Sequence, residues 1–344
     1  MRHVGVVADC RAMAVAALRV LVAVVAVAAA LAWSGSSRSA RAAEPESCKV
    51  GMFVLALYDF DYVANTFDAD LWVWSNCPVG QADPLDKIEY LKADAITPRI
   101  QTSDVVDGTV WASRRLTGSF RHVWDLRSFP FDRPTLTIAL EPGELEADEF
   151  RFTPDTVGSG LDQEIAIPGW RIAGHRFWES LTTYPTTFGD PRFPTGAPSV
   201  YSRLTLAVDL TRSELGTFFQ ITAVVYAAFI LAMLTFALHL DRSLALGIQL
   251  GLLSSALFAT AVNLGTARNA LGHQNGLTLV DLIHIAVLLY IVVTAAIAIG
   301  SRAALERGSD LKRVARINHA AGVMAVVSFV LLNLALILRA ARIG

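Results

Sequence analysis

The chain has little charge and almost no excess of either sign. Charged residues fill 17% of its 344 positions, and 29 lysines and arginines against 31 acids leave a net charge of −2. That excludes the basic footprint with which proteins neutralise nucleic-acid phosphates, so no nucleic acid is expected as a partner. Cysteine is scarce: of three, Cys10 lies near the N-terminus, and Cys48 and Cys77 remain for the rest of the chain. That is too few for a disulfide-rich scaffold or a CxxC-type zinc site. There is no HExxH, no G-x-S-x-G and no phosphate-binding glycine loop. No catalytic set, metal or cofactor is therefore expected, and the chain is not read as an enzyme. The histidines are scattered, with His122 and His175 in the middle and His239, His284 and His319 further on.

Apolar residues are what the chain has in quantity. They make up 53% of it, and the mean hydropathy of +0.46 exceeds that of an ordinary soluble domain. They gather at the N-terminus and after about Leu215. Arg2 and Arg11 precede an apolar run from Ala14 to about Trp33, and Ser39-Ala40-Arg41-Ala42 supplies small residues for cleavage. Residues 1–42 thus read as a secretory signal peptide. An uncleaved anchor is the alternative, because the run is long and Arg19 interrupts it. Either reading puts the next domain outside the cytoplasm.

Residues 43–213 carry short β-forming stretches separated by Pro, Gly and Asp. They are Lys49–Tyr58, Thr66–Asn76, Thr109–Trp124, Thr135–Glu141, Glu149–Thr153, Trp170–Phe177 and Ser199–Thr211. This spacing without a long helical pattern predicts an all-β sandwich or barrel, and an Ig-like sandwich is the expectation carried forward. Cys48 and Cys77 flank the first hairpin symmetrically about a turn near Asp61–Val63. An oxidising compartment favours a disulfide there, and two reduced buried thiols fit the same spacing.

Residues 214–344 hold four apolar spans, about Leu215–Leu238, Leu244–Leu264, Leu277–Ile299 and Ala315–Leu338. Each approaches the roughly 20 residues a helix needs to cross the hydrocarbon core. The fold class expected is an α+β membrane protein, an extracytoplasmic β-domain followed by a four-helix transmembrane bundle. The loop between spans three and four holds Arg302, Arg307, Lys312, Arg313 and Arg316. That places it in the cytoplasm by the positive-inside rule. The expected location is a cell membrane, crossed several times.

One stretch narrows the function. Asp125-Leu126-Arg127-Ser128-Phe129-Pro130-Phe131-Asp132-Arg133-Pro134-Thr135-Leu136 resembles the signature loop of the Cys-loop receptor superfamily, an aromatic-Pro-aromatic-Asp tetrad at the membrane-facing end of the β-domain. The framing cysteines of the animal receptors are absent, as in prokaryotic members. The likeness extends to Asn65–Trp74, to Arg212 before the first span, and to Leu277-Thr278-Leu279-Val280-Asp281. The first span lacks the proline that many relatives carry.

The resemblance implies a homopentameric ligand-gated ion channel embedded in the lipid bilayer. Agonist would bind at β-domain interfaces and open a pore lined by the second span. At helical spacing Ala245, Gln249, Leu252, Ala256, Ala259 and Asn263 share a small or polar face. Five copies would enclose a water-tolerant path with one ring of leucines able to close by dewetting. Asp241 and Arg242 stand at the cytoplasmic mouth, where the family places its selectivity ring. Arg242 occupies the usual acid position of cation channels and Asp241 is displaced by one. Analogy with prokaryotic relatives favours monovalent cations as the permeant ions. Trp72, Phe152, Tyr184, Phe188, Phe193 and Tyr201 are the candidate ligand-binding residues. Aromatic cages suit amines through cation–π contact, and histidines within spans leave protons open as the stimulus. The cage lacks an aromatic near Pro98, where the chain has Ile100. Core packing is the competing role for each of these rings. Coupling is expected through Phe129, Pro130, Phe131 and Asp132, with Asp132 paired to Arg212, and the Asp61–Val63 turn meeting Gly272–Leu277. The competing function is a four-span receptor or sensor that signals through its bundle. The loop from Ser301 to Val314 is too short to serve as its output domain.

Overall fold

The computed structural model describes residues 22–23, 44–81, 83–238, 245–272 and 276–344. Pro45–Gly344 forms one compact unit, separate from Met1–Glu44. The expected signal peptide lies outside the described residues apart from positions 22–23.

Alternation dictates the first hairpin. Strands β1 (Glu46–Asp61) and β2 (Thr66–Pro78) pair antiparallel, from Asp61 opposite Thr66 to Lys49 opposite Asn76. Every second residue of β2, from Phe67 through Leu71 to Cys77, is buried. One face of the strand therefore belongs to the core and the other does not. At the open end Cys48 and Cys77 form a disulfide.

Two sheets result. The larger runs β4-β5-β2-β1-β7, from β4 (Ala93–Val106), β5 (Thr109–Arg121) and β7 (Phe150–Pro154), with short β8 (Gly160–Leu161) also on β1. The smaller runs β3-β6-β10-β9, from β3 (Ile88–Leu91), β6 (Thr135–Pro142), β10 (Ser199–Arg212) and β9 (Trp170–Tyr184). Leu71 and Phe120 of one sheet and Leu136, Leu140, Leu204 and Leu206 of the other are fully buried in one core. Each such side chain contributes about 1.5–3 kcal/mol of apolar burial. The Ser202 hydroxyl accepts the Phe152 amide at 3.0 Å, tying the sheets together.

β4 departs from the sequence expectation, which has no strand there. Nearly all its residues are exposed, so it lacks the period-2 apolar pattern that announces a half-buried strand. The signal lies in the turn instead. Asp107 and Gly108, both at positive φ (50° and 77°), join β4 to β5, as a tight Asp-Gly hairpin turn requires.

Four helices follow: α1 (Gly216–Leu234, extended by a 3-10 turn at Thr235–Ala237), α2 (Ala245–Leu271), α3 (Leu279–Glu306) and α4 (Leu311–Ile343). All four are long and apolar enough to cross a membrane. α2, α3 and α4 outrun their apolar spans at the C-terminal end, whereas α1 stays within its span. Thr278 and Asp281 form a reciprocal capping box at α3, and Asp310 caps α4. Phe229 of α1 stacks on Phe329 of α4 at 3.7 Å, with the Tyr290 ring of α3 at 5.5 Å from Phe329.

Candidate functional site

The loop between β5 and β6 reaches the helices. The Leu279 amide, at the start of α3, donates to the Arg127 carbonyl at 3.1 Å. Phe129 is buried, with its ring centroid 6.3 Å from that of Phe218 on α1. The turn after β1 meets the end of α2. Gly272 has φ +69°, and a Cβ there would collide with the Tyr62 carbonyl. Glycine is thus required twice, for conformation and for space.

Arg212, the last residue of β10, lies at the centre of this junction. Its Nε donates to Asp132 Oδ1 at 2.6 Å, and the two side chains are 9% and 3% exposed. The guanidinium carbon lies 4.2 Å from the Trp170 ring centroid, 4.5 Å from Phe129 and 5.7 Å from Tyr62. A cation among three rings is held by their quadrupoles as well as by its counter-ion. Burial pushes the Asp132 carboxyl above its ordinary value, and the hydrogen bond and charge of Arg212 pull it back. Asp132 Oδ2 has no hydrogen-bond partner among the described residues. Around the pair, Phe60, Tyr62, Trp124 and Trp170 make edge and tilted ring contacts at 5.1–6.4 Å. Trp124 and Trp170 did not emerge from sequence reasoning, and Tyr62 did so only as part of the Asp61–Val63 turn. Their signal is the placement of bulky rings at strand ends, and only the fold shows that those ends converge.

A second site lies beside the segment joining β9 and β10. The rings of Tyr184, Phe188 and Tyr201 cluster with centroids 5.4–6.4 Å apart. With Phe193 they line a cavity of about 1040 Å³. The Tyr184 hydroxyl donates to Glu141 at 2.9 Å and accepts from Arg203, which also bonds Glu141 at 2.7 Å. This network fixes the ring. Burial, reinforced by Glu141, raises the Tyr184 hydroxyl pKa; burial and Glu146 raise that of Tyr201. Glu89, Glu146, Asp148 and Glu149 also line the cavity. None of the four makes an ion pair among the described residues. Aromatic faces with unpaired carboxylates suit a small organic cation. No group of three or more metal-ligating side chains occurs among the described residues. Trp72 and Phe152 are elsewhere. Trp72 is half-buried on the face of β2 that turns from the core, and Phe152 is buried in the core 5.3 Å from Phe150.

The expected face of α2 turns inward. Ala245, Gln249 and Ala256 are buried, and Leu252, Ala259 and Asn263 are half-buried. Gln249 donates to the Thr235 carbonyl at 3.0 Å. Asn263 donates to the Ile221 carbonyl at 2.7 Å and lies 2.8 Å from His284 Nε2. His284 Nδ1 is 2.8 Å from the Val280 carbonyl. The physical reason is that backbone and amide groups inside a membrane bundle need partners from neighbouring helices, and small residues allow the close approach that supplies them. The same residues that suggest a wet path thus serve packing among the chain's own helices. The exposed surface includes Gly247, Gly251, Ser254, Phe258, Ala261 and Gly265 along one line, with Ile248, Ser255, Leu257, Val262 and Thr266 beside it. A Cβ at any of these three glycines would meet no atom of the chain within 4 Å. Asp241 and Arg242 lie outside the described residues. Neither protein-family models nor curated proteins yielded a match to this chain.

Proposed function

We propose that the chain is one subunit of a homopentameric ligand-gated ion channel, with an Ig-like extracytoplasmic sandwich above four membrane helices. The observation that carries this reading is the Asp132–Arg212 pair, enclosed by rings where the β-domain meets the helices. A loop resembling the superfamily signature supplies the acid, and the residue preceding the first span supplies the base. Movement of β9 and β10 is transmitted to α1 through Arg212, and to α2 and α3 through Tyr62 and Arg127. The agonist is a small amine, bound by Tyr184, Phe188, Phe193 and Tyr201 with the cavity's carboxylates that make no ion pair among the described residues. The permeant ions are monovalent cations, and the location is the inner membrane of a bacterium.

The pore is lined by α2 through its open face, not through the face suggested by residue type. Phe258, 72% exposed, is the only large side chain on the line from Gly247 to Gly265. Five copies form an apolar constriction that closes by dewetting. Cysteine placed at Ser254 should react with a charged thiol reagent and reduce the current, whereas cysteine at Gln249 should stay unmodified. The reverse order of reactivity would return the lining to the Gln249 face.

Planar-bilayer recording of the purified protein under a salt gradient tests the function. Unitary currents evoked by small amines are expected, with a reversal potential near that of the cation. Silence from a confirmed pentamer across an amine and pH screen would refute the amine. Silence from a monomer would replace the channel by a four-span sensor.

A further inference from the structure

A second large cleft, of about 1150 Å³, opens on the β-domain where β5 ends, and shares no lining residue with the cavity at Tyr184. Three parts of the chain meet in it. Ala64 and Asn65 come from the connection between β1 and β2, Lys92 and Asp94 from the start of β4, and Arg121 to Arg127 from the end of β5 and the segment after it. Main-chain hydrogen bonds hold them together. The Arg121 amide donates to the Lys92 carbonyl and the His122 amide to the Asn65 carbonyl, both at 2.8 Å.

The charges lining the cleft do not cancel. Asp94 is paired with Arg121, and Asp125 with Arg127. Lys92 is exposed and makes no ion pair among the described residues. The His122 ring shares the cleft with it, set edge-on to Phe67 and Trp124 at centroid distances of 6.2 and 4.5 Å. Burial, and then the charge of Lys92, lower the pKa of that ring from 6.5 to about 4, and no carboxylate acts against them. Both cationic groups thus lack an anion.

We infer that this cleft binds a small organic monoanion of the carboxylate class, its charge held between Lys92 and the His122 ring and its apolar part lying on Ala64 and Val123. One unpaired cation selects a single negative charge. Val123, 78% exposed, and the volume of the cleft select an organic body over a bare ion. The charge-assisted contact with Lys92 contributes about tenfold to affinity. A carboxylate beside His122 also favours its protonated form. An anion that returns the ring from about 4 to 6.5 binds roughly tenfold more tightly at pH 5.5 than at pH 7.5. The inference rests on the β-domain alone and is independent of channel function.

The test is calorimetric titration of butyrate into the purified full chain at constant chloride, at pH 7.5, 6.5 and 5.5, where a carboxylate stays largely ionised. Saturable binding is expected, tightening about tenfold over this range, with no binding of the neutral butyramide. Lys92→Gln should weaken binding about tenfold at pH 7.5, and Lys92→Arg should retain it. His122→Gln should bind butyrate at pH 7.5 and lose the pH dependence. Absence of saturable binding would overturn the site, as would equal affinity for butyramide or equal affinity in Lys92→Gln. Wild-type affinity that does not change with pH would overturn the placement of the anion against His122.

Discussion

Asp132→Ala is expected to lower folding stability by about 3–5 kcal/mol, because it strands the Arg212 guanidinium without its counter-ion. The side chains are 9% and 3% exposed, so water cannot take over the role of the carboxylate. Trp170, Phe129 and Tyr62 still surround the cation, and cation–π contact offsets only part of the loss, about 1–2 kcal/mol. The double variant Asp132→Ala/Arg212→Met removes both charges and should recover most of the stability. Thermal unfolding of the purified protein, followed by tryptophan fluorescence, reports on this directly because Trp170 is part of the cluster. In bilayers, any Asp132→Ala protein that assembles should respond weakly to agonist. A single variant as stable as the wild type, with normal currents, would sink both the energetic and the coupling argument.

Acid should weaken the β-domain through His122. Burial and the nearby Lys92 depress its pKa from 6.5 to about 4, and its ring lies 4.5 Å from that of Trp124. The folded protein keeps the imidazole neutral, whereas the unfolded chain takes up a proton below pH 6.5. The stability from this residue is therefore complete above pH 6.5 and declines as the pH falls toward 4. The loss amounts to about 2–3 kcal/mol, allowing for partial exposure. Carboxylates also titrate across this window, so the decisive quantity is the difference from His122→Gln. Unfolding temperatures at pH 4.5 and 7.5 should differ more for the wild type than for the variant. Equal differences would remove the assignment. The effect also bears on any screen of protons as stimulus, since currents lost in acid can reflect a loosened junction.

The candidate sites were legible to different degrees. Asp132 and Arg212 stand out in sequence because a carboxylate beside a Pro-aromatic turn and a base at the membrane edge both need partners. They lie 80 residues apart and meet at 2.6 Å. Tyr184, Phe188, Phe193 and Tyr201 were legible together because they share one segment and its flanking strands. Trp72 and Phe152 were not separable from them, since an aromatic on a strand looks alike whether it faces the core, a cavity or the outer surface. That Tyr62 and Trp170 join Phe129 around Arg212 was hidden for a related reason: the three rings come from separate parts of the chain.

Local chemistry by itself determined most strands of the β-domain, though not β4, together with the four helices and the hairpin carrying Cys48 and Cys77, because period, length and turn residues act within a few positions. Tertiary structure alone decided which side of α2 is open. Inside a bundle, lipid is as apolar as a neighbouring helix, so residue type does not separate a packed face from a free one. Gln249 is buried where it donates to the Thr235 carbonyl, and Ser254 is open because no helix among the described residues covers it. Only the arrangement of α1 and α3 around α2 makes that distinction.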